Sequence, residues 1–235
     1  MTRAAPPTSF PQRRHFGRRR GPALSAHQSR LFETLLPQLL IEPQAGRDPR
    51  GYFSKDGLSE VWLEIGFGGG EHLLWQAQAH PLVGIIGAEP YVSGIAKLLS
   101  KLSACADGPR NIRLYAEDAT DIIEALPSAS LSRVFVLFPD PWPKTRHHKR
   151  RFIQMSMLDA FACVMKPGAE LRFATDDQGY LLWTLERLCA HPAFVWLAKE
   201  ALDWRARPAD WPETRYEAKA IRAGSTCTYL RFARR

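Results

Sequence analysis

The 235-residue sequence has no Cys-x-x-Cys pair, no apolar run of membrane-spanning length, no Gly-Lys-Ser/Thr step and no acidic residue in its first thirty positions. Each absence removes a class of protein. Cys105, Cys163, Cys189 and Cys227 stand far apart, so neither a zinc ribbon nor a dithiol redox site is expected, and each reads as a reduced thiol. Without ~18 consecutive apolar residues there is no candidate membrane helix. The start of the chain lacks the apolar stretch of a secretory signal, so a soluble, cytoplasmic protein is expected. The missing Gly-Lys-Ser/Thr step weighs against a phosphate-cradling ATP loop. No internal repeat is visible.

The acid-free opening is also arginine-rich: Arg3, Arg13, Arg14, Arg18, Arg19, Arg20 and Arg30 account for +7 of the formal net charge of +8. Residues 1–28 read as a basic, disordered arm and residues 29–235 as one globular domain. Such an arm either lies along nucleic acid, releasing counterions at each phosphate, or only solubilises the chain. Pro6, Pro7, Pro11 and Pro22, with Gly17 and Gly21, would break the amphipathic helix of a transit peptide.

Beyond the arm, 45% hydrophobic and 24% charged residues suit one domain with a sizeable core. Helical spacing over residues 29–40, interrupted by Pro37, precedes a polar loop at 42–60. Strands are then expected at 61–65, 83–88, 112–115, 133–138, 170–175 and 226–232. Helices are expected at 70–79, 91–104, 119–126, 152–165 and 178–190. This alternation predicts an α/β fold, a mostly parallel sheet covered by helices on both faces. Ligands of such sheets bind beyond the carboxyl ends of the strands.

The chemically suggestive residues fall at those ends. The first strand runs into Glu64-Ile65-Gly66-Phe67-Gly68-Gly69-Gly70, a turn through which backbone can approach a ligand. The second ends in Gly87-Ala88-Glu89, where an acid can accept hydrogen bonds from a ribose. The third ends in Glu117-Asp118, where an acid can accept from an adenine amino group. Any one of these acids alone reads as a solvated loop residue; the series reads as an adenosine site. Glu64 before the turn and Glu71 after it suit an ammonium better than a pyrophosphate, which points to S-adenosylmethionine. The fourth strand ends in Phe138-Pro139-Asp140-Pro141-Trp142-Pro143-Lys144. Its prolines fix the backbone around Asp140. Trp142 either stacks on a base or covers the sheet edge. After Lys144 come Arg146, His147, His148, Lys149, Arg150 and Arg151 with no acid among them, a segment suited to phosphates.

The Asp140 motif with its basic sequel resembles the signature of the tRNA (guanine-N7-)-methyltransferase family. Glu64–Gly68, Gly87–Glu89, Ala174-Thr175-Asp176 and Thr214-Arg215-Tyr216-Glu217 are similar to further family motifs, in the family's order, over about residues 29–234. The resemblance implies a Rossmann-like class I methyltransferase fold with an antiparallel C-terminal strand. It further implies methyl transfer from S-adenosylmethionine to N7 of a guanine in the variable loop of tRNA. By motif, Glu64, Gly66, Gly68, Glu89, Asp118 and Asp140 would bind the cofactor, and Asp140 would also be catalytic. Lys144, Asp176, Thr214, Arg215, Tyr216 and Glu217 would bind the substrate, and Arg146 to Arg151 the RNA. No metal is expected, and a monomer or homodimer. Three readings compete: a methyltransferase acting on an exocyclic nitrogen, an RNA-binding protein with a vestigial pocket, and a nicotinamide dehydrogenase. The Trp-containing stretch 187–212 carries no assigned role.

Overall fold

A computed structural model describes residues 16, 17, 19–53, 57–105 and 108–235. Seven strands form one sheet: β1 (Glu60–Ile65), β2 (Val83–Ala88), β3 (Ile112–Tyr115), β4 (Leu131–Leu137), β5 (Met165–Thr175), β6 (Phe194–Trp196) and β7 (Thr228–Arg234). Their spatial order is β3-β2-β1-β4-β5-β7-β6. The first five neighbours pair in parallel, and β7 runs antiparallel to both β5 and β6. The order turns back between β1 and β4, the position at which open α/β sheets bind ligands. Register sets the strand ends side by side: Ile65 lies opposite Ala88 and Val136, and Leu137 opposite Ala174.

Among the described residues the helices are α1 (Ala26–Thr34), α2 (Leu36–Leu39), α3 (Glu71–Ala79), α4 (Val92–Ala104), α5 (Ala119–Ala125), α6 (Met155–Val164), α7 (Gln178–Ala190), α8 (Leu202–Arg205) and α9 (Arg215–Arg222). The boundary expected at residue 28 falls inside α1. Ser25 caps that helix by accepting from Gln28 N, while the Gln28 side chain accepts from Ser25 N. Pro37 stands at the start of α2, where its missing N–H costs no helical bond.

Side-chain alternation divides the core into two layers. Val61, Leu63, Ile65, Val134 and Val136 pack with α5, α6 and α7. Trp62, Ile85 and Phe135 face the other way, against α1, α3 and α4. Over β5 and β7 that second face carries α9 and the loop at 206–212 instead of a long helix. Trp211 is buried there with Tyr229 and Ala220. Beneath the loop lies Arg172, 2% exposed, paired with Glu170 at 2.9 Å and Asp210 at 2.7 Å, its guanidinium over the rings of Phe135 and Trp211. Trp196 stacks on Phe232, with ring centroids 6.0 Å apart, and Trp204 packs against Trp196. The tryptophans of the 187–212 stretch therefore cover the sheet.

Candidate active site

At the end of β1 the chain turns through Gly68, whose φ of +55° suits glycine. Gly68 N donates to Glu89 Oε2 at 2.8 Å, and Tyr91 N donates to Glu89 Oε1 at 2.9 Å. One carboxylate thus joins the ends of β1 and β2. Burial, helped by the nearby charges of Asp140 and Glu64, pushes the Glu89 carboxyl up to about 7 against the lowering effect of those two N–H groups. The first turn of α4 presses on the same glycine turn: a Cβ on Gly94 would stand 2.5 Å from Gly68 O. Asp118 caps α5 by accepting from Thr120 N at 2.9 Å.

Across the cleft, the loop after β4 holds two non-glycine residues in the left-handed region, Phe138 at φ +49° and Trp142 at +46°. Such conformations persist where the surroundings over-determine them. Prolines at 139, 141 and 143 stiffen the loop, and Phe138 N donates to Ala174 O at 2.8 Å. Asp140 is exposed at its tip. A 3-10 turn, Thr145–Arg150, follows.

These elements enclose a cleft of about 350 Å³ whose lining includes Gly66, Gly68, Glu89, Asp118, Asp140, Trp142 and Tyr216. The structure thus brings together the expected Gly66, Gly68, Glu89, Asp118 and Asp140. Trp142 lines the cleft. The ring of Tyr216 lies against Gly68, so that a Cβ there would meet it at 2.7 Å.

Other expected residues lie elsewhere. Glu64 points to the α3 face, opposite to Ile65, and sits 3% exposed with Oε2 2.8 Å from His72 Nδ1. Strand alternation is the reason: Ile65 occupies the side that reaches the cleft. Thr214 and Glu217 form a capping box at the start of α9. Glu217 also accepts from the Tyr229 hydroxyl and pairs with Arg207 at 2.9 Å, which fixes α9 and hence Tyr216. Arg215 and Asp176 are exposed and do not line the cleft.

In the basic segment, Lys144, Arg146 and Lys149 are exposed. His147 and His148 are half-buried, against Trp142 and Trp183 respectively. Arg150 faces the cleft with its guanidinium 4.9 Å from the Trp142 ring and 5.0 Å from that of Phe16. Arg151 corrects the expectation that the whole run faces RNA: it is 2% exposed and hydrogen-bonded to backbone carbonyls.

Sequence reasoning missed the contribution of the arm. Phe16 and Gly17 line the cleft, Val92 N donates to Arg19 O at 3.0 Å, and Arg19 forms an ion pair with Glu117. An aromatic residue amid arginines was the available signal. Arg3, Arg13, Arg14 and Arg18 lie outside the described residues. Among the described residues there is no group of three His, Cys, Asp or Glu side chains able to hold a metal, and no helix long and apolar enough to cross a membrane.

The arrangement suits a ligand with hydroxyl and amino donors: carboxylates converge on the cleft from three strand ends, beside backbone that a ligand can approach closely. A family model described as a putative methyltransferase matches residues 59–230. A tRNA (guanine-N(7)-)-methyltransferase of Rhodospirillum rubrum is 53% identical over 228 residues, which cover 94% of this chain and 88% of that protein. One of Brucella anthropi is 51% identical over 224 residues, 94% of each chain. Among solved structures, the 16S rRNA methyltransferase KamB aligns with a TM-score of 0.53 at 16% identity, over 83% of this chain and 100% of that one. That last likeness is one of fold.

Proposed function

The chain belongs to the tRNA (guanine-N(7)-)-methyltransferase family, and on that premise we propose that it transfers a methyl group from S-adenosylmethionine to N7 of a guanine in the variable loop of tRNA. One observation carries the cofactor assignment: Glu89, Asp118 and Asp140 line a single cleft beside Gly66 and Gly68. When bound, S-adenosylmethionine supplies a methyl group made electrophilic by its sulfonium. Glu89 accepts hydrogen bonds from the ribose hydroxyls, since each of its oxygens keeps a lone pair beyond those used by Gly68 N and Tyr91 N. Asp118 accepts from the adenine amino group, and Gly66 and Gly68 let the backbone pass close to the amino-acid portion. Glu64, turned to His72, is left out of this set.

Guanine N7 carries a lone pair at neutral pH, so the attack needs no general base. The protein's contribution is then positioning and electrostatics. Asp140, on its stiff loop, holds the base in line and offsets the positive charge that develops on the purine. Asp176 accepts from N1–H and the exocyclic amino group, donors in guanine where adenine presents an acceptor. Tyr216 supplies a ring face for the base. Glu217 and Thr214 act one step back, by fixing α9. Lys144, Arg146 and Lys149 hold phosphates while the base leaves its stack.

The test is incubation of unmodified tRNA with the protein and S-adenosylmethionine, followed by nucleoside mass spectrometry and borohydride–aniline cleavage. N7-methylguanosine, with chain scission in the variable loop, is the expected product. Methylation without scission would reassign the target to another nitrogen, and no methylation would overturn the proposal.

A further inference from the structure

Arg151 closes a run of cations, yet its environment is interior. Nε donates to Pro141 O at 2.9 Å and Nη1 to Gly179 O at 3.1 Å. Its guanidinium carbon lies 5.1 Å from the ring centroid of Tyr180 and 5.1 Å from that of Trp183. The two carbonyls belong to different elements of the active edge, a loop and the start of a helix. Pro141 immediately follows Asp140 on the loop after β4. Gly179 is in the first turn of α7, two residues after the Asp177 cap and three after Asp176. The following residues are anchored to the same helix, because Phe152 N and Ile153 N both donate to the Tyr180 hydroxyl, at 2.8 and 3.2 Å.

We propose that Arg151 is a positioning residue: its planar fork fixes the distance between the Asp140 loop and the Asp176 loop, and so the seat of the target base, without touching RNA. A guanidinium can satisfy two carbonyls in its plane while stacking on aromatic rings; an ammonium can donate to carbonyls but has no plane with which to stack at the same time. A displacement of about 1 Å at the reacting centre is enough to cost about 10²-fold in rate. The inference rests on the methyl-transfer reading above.

Arg151→Lys keeps the charge and loses the fork, so it separates bracing from phosphate binding. The brace predicts a kcat at saturating tRNA and S-adenosylmethionine lowered about 10- to 100-fold. The KM for tRNA and the salt dependence of tRNA binding stay at wild-type values. Tyr180→Phe removes the neighbouring anchor with no change of charge. It should lower kcat in the same sense, less than additively with Arg151→Lys. Wild-type kcat in a folded Arg151→Lys protein overturns the proposal. So does an Arg151→Ala protein that turns over normally at saturation but binds tRNA with a salt slope shallower by about one. If Arg151→Lys fails to fold, Tyr180→Phe decides: lowered kcat at constant KM supports the brace, and unchanged kcat overturns it. Wild-type protein that forms no N7-methylguanosine would instead overturn the function proposed above.

Discussion

The two halves of the sheet are built by different physics. On the β1–β2–β3 side, close backbone approach and apolar packing dominate, with Glu89 and the Glu64–His72 pair as buried polar contacts: a glycine turn, a helix pressed against it, and a core of Trp62, Leu73, Ile85 and Leu98. On the β4–β5–β7 side, the binding edge is held by charged and polar side chains in specific pairs. Arg172 bridges Glu170 and Asp210, Glu217 joins Arg207 and Tyr229, and Arg151 spans two loops. In the first half a methyl group at Gly70, Gly84, Gly87 or Gly94 would stand 2.5 to 2.7 Å from a packed neighbour. The second is set by hydrogen-bond geometry, and its response to mutation depends on which donors remain.

Four experiments press on that contrast. The largest effect is expected from Asp140→Ala. Single-turnover methylation should fall by 10²-fold or more, as for loss of a group that stabilises developing charge. Its gel-shift affinity for tRNA should stay near wild type. Next, Gly94→Ala puts a methyl group against Gly68 O. It should weaken S-adenosylmethionine binding in calorimetry by about 10-fold or more, a size in line with the cost of overpacking, and leave tRNA affinity almost unchanged. The reverse pattern is expected when Lys144, Arg146 and Lys149 are all changed to Ala. Cofactor affinity should hold, while the log–log salt slope for tRNA binding should become shallower by about two units, as for three cations each neutralising a phosphate of single-stranded or loop RNA. If either variant disturbed both ligands equally, the two halves would not be separable.

The smallest effect concerns Glu89. Its carboxyl titrates near 7 in the fold against an ordinary 4.5. Between those values the folded state holds more protons than the unfolded one, so this group's contribution to stability is present at low pH and lost as pH rises through 7. The cofactor-free protein should therefore melt a few degrees lower at pH 8 than at pH 5.5, and Glu89→Gln should flatten that dependence. Hydroxyl donors favour the carboxylate, so S-adenosylmethionine should bind more tightly at pH 8 than at pH 6 by calorimetry.

The same contrast explains which parts were legible in the sequence. Strand–helix alternation and the Gly66–Gly70 turn are local patterns, and they predicted β1 to β5 and the helices between them. The antiparallel β7 followed from the family resemblance. Glu89, Asp118 and Asp140 needed only the rule that strand ends point to one edge. Glu64 lies outside the cleft lining because a motif gives position but not face, and alternation along β1 turns that carboxylate toward His72. Arg151 was misread because a run of cations reads as uniform, whereas this residue stands just past the 3-10 turn in extended backbone, and its side chain turns inward to the Pro141 and Gly179 carbonyls. The short β6 and α8, and the polar α9, lie where apolar spacing is weak. Their order comes from Trp196 on Phe232 and from the Glu217 pairs, contacts made with residues distant in sequence.

Phe16 and Arg19 give the molecule an order of assembly. Arg19 meets Glu117 across 98 positions of chain, and Phe16 meets Arg150 across still more. During synthesis these opening residues emerge first and find their places last, after every strand that borders the cleft has been made. Contacts so long in sequence are slow to form and strengthen only on a finished scaffold. Settling of Phe16 and Arg19 is thus expected late in folding, and the protection of these two residues in hydrogen exchange would report that the sheet beneath them is complete.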